Sequence, residues 1–374
     1  MKKKILALLY LAVFYLTSCI SQENPPIIET PDQSKFSTSI IVDGIEIPWG
    51  MDFITENDLL VTEKKGILYR VKNGEKSEVS GLPEIYQRGQ GGLLDVALHP
   101  DFDNNKLIYF TASVHVEGDK GGNTALYCGE LNANELSNVK LLYKGTPNTK
   151  KGQHWGSRIV FDDQGHLFFG IGDRGNRDVN PQDLKRDGGK IYRLNLDGSI
   201  PEDNPFFQED EAIKAVYSYG HRNPQGMTIH PKTGEIWENE HGPKGGDEIN
   251  IIKKGKNYGW PVITYGINYS GTSITDKKSM PGMEQPFYYW VPSIAPSGMA
   301  FSSSGVYRKW KGNLFIGSLK FKYLERLIIK RGKVVKREKI LNDIGRVRNV
   351  KEGPDGFLYL GVEGKGILKV IVNR

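Results

Sequence analysis

The chain has 374 residues, 38% of them hydrophobic and 25% charged, enough for one large or two ordinary globular domains with a sizeable core. Its 50 Lys and Arg against 44 Asp and Glu leave a formal charge of +6 with no dense cationic stripe, so nucleic acid is not an expected partner. The 44 glycines and frequent Tyr and Phe suit many short strands and tight turns better than long helices.

The first element is a targeting segment. Lys2, Lys3 and Lys4 precede an apolar run from Ile5 to Leu16 that is too short to span a bilayer comfortably. It ends in Leu16-Thr17-Ser18-Cys19, which resembles a bacterial lipobox. Residues 1–18 are therefore expected to be a lipoprotein signal peptide, with Cys19 becoming the lipidated first residue of an envelope protein facing the periplasm or the cell surface. Residues 19–37 are polar and Pro-containing and are expected to form a flexible tether, with membrane contact through the lipid alone. Cys128 is then the one remaining thiol. An intrachain disulfide and a Cys-based metal site are excluded, and the strand-like run TALYCGEL predicts a buried, inert thiol.

From residue 38 to the C-terminus a turn-plus-strand pattern recurs six times: DLLVTEKKG, KLIYFTASV, HLFFGIGDRG, EIWENEHG, NLFIGSLK and FLYLGVEG. Each copy is preceded by a second strand-like element: PWGMDFI, GGLLDVALHP, GSRIVFDDQG, NPQGMTIHP, PSGMAFSS and VRNVKEGPDG. Further strands follow, as in GILYRVKNG, GKIYRLNLDG and DEINIIKKG. Several short strands per repeat predict an all-β, six-bladed β-propeller over residues 38–374. No amphipathic helices alternate with the strands, which disfavours a parallel α/β fold. The N-terminal run SIIVDGI is expected to close the last blade beside the C-terminal strand. The run KRGKVVKREK reads as a solvated hairpin edge, where lysines block edge pairing.

In a propeller, polar residues in the loops at one mouth of the channel carry function. His154 lies in a Gly-rich loop before the third repeat, and Asp173 follows its paired strand, so the two can meet as a base held by a carboxylate. Arg222 and Asn223, Lys320, Arg346 and Arg348 occupy equivalent strand-end positions. Cations converging without acidic neighbours predict an anionic ligand with several carboxylates or phosphates. Gly242-Pro243 can offer two backbone carbonyls to a hard cation such as Ca²⁺. Asp247-Glu248 either contributes to a second ion site or caps a strand. EF-hand, zinc-ligand, P-loop and GxSxG patterns are absent from the sequence.

The motifs GQGGLLDVALHPDF, HWGSRIVF, GIGDRGN, GGKIYRLNLDGSIPEDNPF, YSYGHRNPQGM, EHGPKGGDEIN, GKNYGWP, APSGMAF and GRVRNVKEGPDG run in order from about Pro48 to the C-terminus. With them the chain resembles the soluble PQQ-dependent aldose sugar dehydrogenases of the glucose/sorbosone dehydrogenase family. The resemblance implies a six-bladed propeller that oxidises aldoses at C1 to lactones, with PQQ and Ca²⁺ as cofactors. It implies His154 as catalytic base, Asp173 as its orienting carboxylate, and Arg222 beside the developing charge. Arg222, Asn223, Lys320, Arg346, Arg348 and Ser293 correspond to PQQ contacts, and Gln90 and His154 to sugar contacts. Gly242 and Pro243 correspond to ligands of catalytic calcium, and Asp247, Glu248 and Tyr258 to the region of a second calcium. The chain lacks the long inter-blade insertions of larger glucose-specific members, so it is closer to the short members of broad substrate range. The particular sugar, the electron acceptor, and the choice between monomer and homodimer stay open. A propeller binding module for glycan or protein, without turnover, is the alternative from another class. A calcium-dependent propeller lactonase would place several carboxylates around the channel metal, and main-chain Gly-Pro ligands argue against it.

Overall fold

A computed structural model describes residues 26–115 and 118–373; the expected signal peptide and Cys19 lie outside them. Among the described residues, helix is confined to single turns at Gln33–Lys35 and Phe102–Asn105. No described helix is long and apolar enough to cross a membrane.

The strands form six separate sheets arranged as the blades of a propeller. Blade 1 runs outward as Pro48–Thr55, Asp58–Glu63, Ile67–Lys72 and Glu75–Val79. Blade 2 is Leu93–Leu98, Leu107–Val114, Asn123–Asn132 and Glu135–Lys144. Blade 3 is Ile159–Phe161, His166–Ile171, Lys190–Asn195 and Val216–Tyr219. Blade 4 is Pro224–Ile229, Ile236–Glu240, Asp247–Ile252 and Tyr288–Trp290. Blade 5 begins Pro296–Phe301, Leu314–Ser318, Leu324–Lys330 and Lys333–Ile340. Blade 6 begins Val347–Glu352, Leu358–Val362 and Gly366–Val372. The six turn-plus-strand repeats are the second strands, and the elements before them are the inner strands.

Blade 6 takes its outer strand from the other end of the chain. Phe36–Val42 pairs antiparallel with Gly366–Val372, Ser39 opposite Lys369, as expected of the SIIVDGI run. The tether expectation over residues 19–37 needs correction. Ile27–Glu29 adds a parallel fifth strand to blade 5, with Ile27 opposite Lys336 and Glu29 opposite Glu338. The KRGKVVKREK edge is therefore partly paired rather than wholly solvated. Lys336, placed there to discourage pairing, instead contacts Glu29 at 2.5 Å.

The core lies between blades, where each alternating strand buries one face against its neighbour. Leu60 and Leu68 of blade 1 pack on Val96 and Phe110 of blade 2. Trp237 and Ile249 of blade 4 meet Met299 and Leu314 of blade 5. Val42 and Tyr359 of blade 6 return to Met51 and Phe53 of blade 1, completing the ring. Cys128 is free and buried in the cluster between blades 2 and 3, as expected.

Three inner strands share the sequence Pro-x-Gly-Met at residues 48–51, 224–227 and 296–299. Each carries a register shift at that point, so the strand bulges where it meets the channel. A Cβ on Gly226 would sit 2.3 Å from the Ser297 carbonyl, and one on Gly298 would sit 2.6 Å from the Asn349 Cα. Glycine is needed there because neighbouring inner strands touch backbone to backbone. All six inner strands line a channel cavity of about 340 Å³, which reaches Met51, Val96, Val160, Met227, Met299 and Val350.

Candidate active site

The loops preceding the inner strands and those following the second strands meet at one mouth of the channel. His154 comes from the loop entering blade 3 and has φ of 58°, a conformation non-glycine residues seldom adopt. Its backbone N–H donates to Gln90 Oε1 at 2.8 Å, while Gln90 N–H donates to the Gly152 carbonyl at 2.7 Å. Arg174 braces the same loop. Its guanidinium stacks 3.3 Å from the Trp155 ring centroid and donates to the carbonyls of Gln153 and Lys151. The contact from Gly172 is equally tight: a Cβ there would fall 2.5 Å from the His154 carbonyl. That closeness delivers the next residue, Asp173, against the imidazole.

His154 Nδ1 lies 2.6 Å from Asp173 Oδ1, and the Asp173 side chain is 1% exposed. Asp173 accepts two further bonds, from Gly175 N–H at 2.7 Å and from Trp260 Nε1–H at 2.9 Å. Burial pushes the His154 pKa below its ordinary value against the opposing pull of Asp173, and Arg222 and Arg174 add to the depression. Burial pushes Asp173 the other way, but its bond to His154, the Arg222 charge and the Trp260 bond outweigh this and hold it below the usual carboxylate value. The pair is thus an ionised carboxylate and a neutral imidazole. A carboxylate only accepts, so Nδ1 carries the proton and Nε2 keeps a free lone pair.

Arg222 is 7% exposed and lies over the Trp260 ring, 5.3 Å from its centroid. Its Nη1 donates to the His241 carbonyl at 2.8 Å, and its buried Nε has no partner. Glu240 Oε2 accepts from the backbone N–H of Arg222 and from that of Asn223, fixing this pair before blade 4. His241 Nε2–H donates to the Pro296 carbonyl at 2.7 Å; burial and the Arg222 charge push its pKa down to about 3, so it is neutral.

Gly242 and Pro243 follow in the same loop. Asp247 organises it: Oδ1 accepts from Gly242 N–H and Oδ2 from Ala295 N–H, both at 2.8 Å. Ser293 Oγ accepts from Gly245 N–H at 2.9 Å and reaches the Pro243 carbonyl at only 3.4 Å. Among the described residues no hydrogen bond to the Gly242 carbonyl is recorded. Two adjacent carbonyls are therefore underused, a donor set that suits a hard cation. The three residues matched to a second calcium do not present three free side chains. Asp247 is committed to amides, and the Tyr258 hydroxyl donates to the Ile251 carbonyl at 2.6 Å. Glu248 lines a small void with Glu240, Gly242, Gly246 and Tyr258.

The remaining cations need a correction. Arg346 and Arg348 have an acidic neighbour: Glu363 receives Arg346 Nε at 2.6 Å and Arg348 Nη2 at 2.5 Å. Arg346 also donates to the Leu319 carbonyl at 3.0 Å, beside Lys320. Lys320 is exposed, its Nζ 5.0 Å from the Phe321 ring centroid. Sequence reasoning missed Trp260, Arg174, Glu240 and Glu363. Trp260 had a signal, the GKNYGWP motif, but nothing in it points to Asp173.

The glucose/sorbosone dehydrogenase family model matches residues 45–369. The aldose sugar dehydrogenase YliI of Escherichia coli is 43% identical over 333 residues, covering 87% of this chain and 89% of its own. The crystal structure of the soluble E. coli aldose sugar dehydrogenase in its apo form superposes with a TM-score of 0.87 at 39% identity, over 90% of this chain and 100% of that one. The PQQ-bound aldose sugar dehydrogenase of Streptomyces coelicolor superposes at 0.72 with 27% identity, over 90% and 98%. A propeller with these motifs matched from blade 1 to blade 6 belongs to the glucose/sorbosone dehydrogenase family.

Proposed function

We propose that the chain is a quinoprotein dehydrogenase that oxidises aldose sugars at C1 to lactones. The observation carrying this reading is the 2.6 Å contact between neutral His154 and ionised Asp173 beside buried Arg222 and the underused Gly242 and Pro243 carbonyls. The donor set fits both cofactors: Arg222, Asn223, Lys320, Arg346, Arg348 and Ser293 for the carboxylates and rim of PQQ, Gly242 and Pro243 for Ca²⁺. When bound, Ca²⁺-polarised PQQ supplies the hydride acceptor.

The chain's own residues do the rest. His154 Nε2 takes the proton of the sugar C1 hydroxyl, and Asp173 stabilises the imidazolium that results. Gln90, whose bond to the His154 backbone keeps it beside the base, is the residue assigned to hold a sugar hydroxyl. The Arg222 Nε–H, buried and unpartnered, is a donor available to charge developing beside it. Glu363 spreads its charge over Arg346 and Arg348 and holds both guanidinium groups in place. The lipobox supports anchoring of the mature chain in the envelope through Cys19.

The test is reconstitution of the purified apo-protein with PQQ and Ca²⁺, followed by dye reduction across a panel of aldoses and mass analysis of the product. Lactone or its hydrolysed acid is expected. Sugar binding without PQQ uptake or dye reduction would instead establish a binding module.

A further inference from the structure

A second group of polar side chains is buried behind the cofactor loop, on the face of blade 4 turned toward blade 3. Glu238 and Glu240 lie on one strand, and Glu248 and Asn250 on the next, with Glu238 opposite Asn250 and Glu240 opposite Glu248. All four side chains share one face of the sheet, because alternate residues point the same way. His221, entering the blade from the preceding loop, closes the group. Ligand atoms of His221, Glu238 and Glu240 lie within 4.8 Å of one another, and all three residues are buried.

The buried Glu238 and Glu240 and the half-buried Glu248 have no Lys or Arg partner among the described residues. Among the described residues the recorded salt bridge to them is the one from His221 Nδ1 to Glu240 Oε1, at 3.4 Å. The Asn250 amide Nδ2 lies 3.1 Å from Glu240 Oε1, 3.3 Å from Glu238 Oε2 and 3.5 Å from Glu248 Oε2. Two buried atoms of the group have no partner: Glu238 Oε1, on a residue 0% exposed, and Asn250 Oδ1, on one 1% exposed. Leaving such oxygens unpaired in the interior costs about 1–3 kcal/mol each, so something is expected to satisfy them. His221 is also set up as a ligand. Its Nε2 pairs with Ser218 Oγ at 2.9 Å and its ring stacks on Tyr258, which fixes the ring and turns Nδ1 toward the carboxylates.

We propose that His221, Glu238 and Glu240 bind a divalent transition-metal ion, with the Asn250 amide turned so that Oδ1 faces it. The spacing is one that a single ion with bonds of about 2.0–2.2 Å can span with a slight inward movement of the side chains. An imidazole nitrogen among carboxylates favours Zn²⁺ or Mn²⁺ over Ca²⁺, which takes oxygen ligands. The site is separate from the Gly242 and Pro243 carbonyls. It is nevertheless wired to the cofactor loop, because the other oxygen of Glu240 holds the Arg222 and Asn223 amides. The ion would fix that carboxylate, and through it the start of blade 4. The inference stands whether or not the chain oxidises sugars.

The experiment is metal analysis of the full chain after chelation, then exposure to Zn²⁺ or Mn²⁺ with Ca²⁺ in excess to fill oxygen-only sites, and gel filtration. Wild type is expected to retain about one transition-metal ion per chain and to melt at a higher temperature with it. Glu238→Gln is expected to lose that ion while keeping wild-type Ca²⁺ binding. Equal retention by Glu238→Gln means binding elsewhere and overturns the proposal. If that variant does not fold, wild type decides: a chain that retains neither ion, its carboxylates satisfied by protons instead, overturns it as well.

Discussion

Replacing Asp173 by Asn removes one charge and one acceptor from a carboxylate that accepts three hydrogen bonds, and the structure dictates how each is lost. Oδ1 receives His154 Nδ1 at 2.6 Å and Gly175 N–H at 2.7 Å, while Oδ2 receives Trp260 Nε1–H at 2.9 Å. An asparagine that keeps its oxygen toward His154 points its NH₂ at the Trp260 N–H, donor against donor. That leaves a buried indole N–H unsatisfied and costs about 1–3 kcal/mol of stability. An asparagine turned the other way faces His154 with NH₂ and forces the proton from Nδ1 to Nε2, which abolishes the base. In both orientations the imidazolium formed during turnover loses its countercharge. The expected loss in kcat is roughly 10²–10⁴-fold, or about 3–5 kcal/mol in the barrier. The assay is steady-state dye reduction with PQQ occupancy measured separately by absorbance, alongside thermal melting. A variant with full occupancy and kcat within threefold of wild type would falsify the dyad assignment.

The acid limb of kcat/KM should lie below pH 6.5, the ordinary value for histidine, because the neutral form is active and burial lowers the His154 pKa. Activity is then present above that lowered value and lost as pH falls through it; a limb at or above 6.5 contradicts the depression. Arg174→Met should leave the carbonyls of Gln153 and Lys151 without their donor, lowering stability by about 1–3 kcal/mol and kcat more than KM, as melting and kinetics would show. Unchanged kcat would mean that the His154 loop holds its φ without this brace. Deleting residues 26–30 should cost about 1–3 kcal/mol, from a few ladder bonds to blade 5, and leave sugar oxidation intact. Activity falling in step with stability would show that blade 5 transmits disorder to Lys320.

Repeats made the architecture legible. Six second strands and six inner strands could be read because each carries an apolar run bounded by glycine or a charged turn, a signal confined to a few adjacent residues. His154 and Asp173 could be paired because both flank strands of one blade. Trp260 could not be joined to Asp173, 87 positions away, since the bond depends on two loops of different blades reaching one mouth. Glu363 escaped for a related reason: it ends a strand whose turn looks solvated, yet the turn brings it to Arg346 and Arg348. The strand at Ile27–Glu29 was hidden by composition. Its flanks are Pro-rich and polar, and its pairing with Lys336 depends on a neighbour some three hundred residues later.

The strand Phe36–Val42 has a consequence for how the molecule comes into being. Its partner, Gly366–Val372, is made some three hundred residues later. The consecutive four-stranded parts of blades 1 to 5 can assemble in order of synthesis, but Phe36–Val42 must wait, unpaired, until Gly366–Val372 arrives. Until then Gly366–Val372 has an open flank and the contact of blade 6 with blade 1 is unfinished, the exposure that invites one chain to pair with another. A ribosome stalled in blade 6 would therefore release a nearly whole propeller that is an aggregation hazard. The hazard passes only when Gly366–Val372 meets Phe36–Val42.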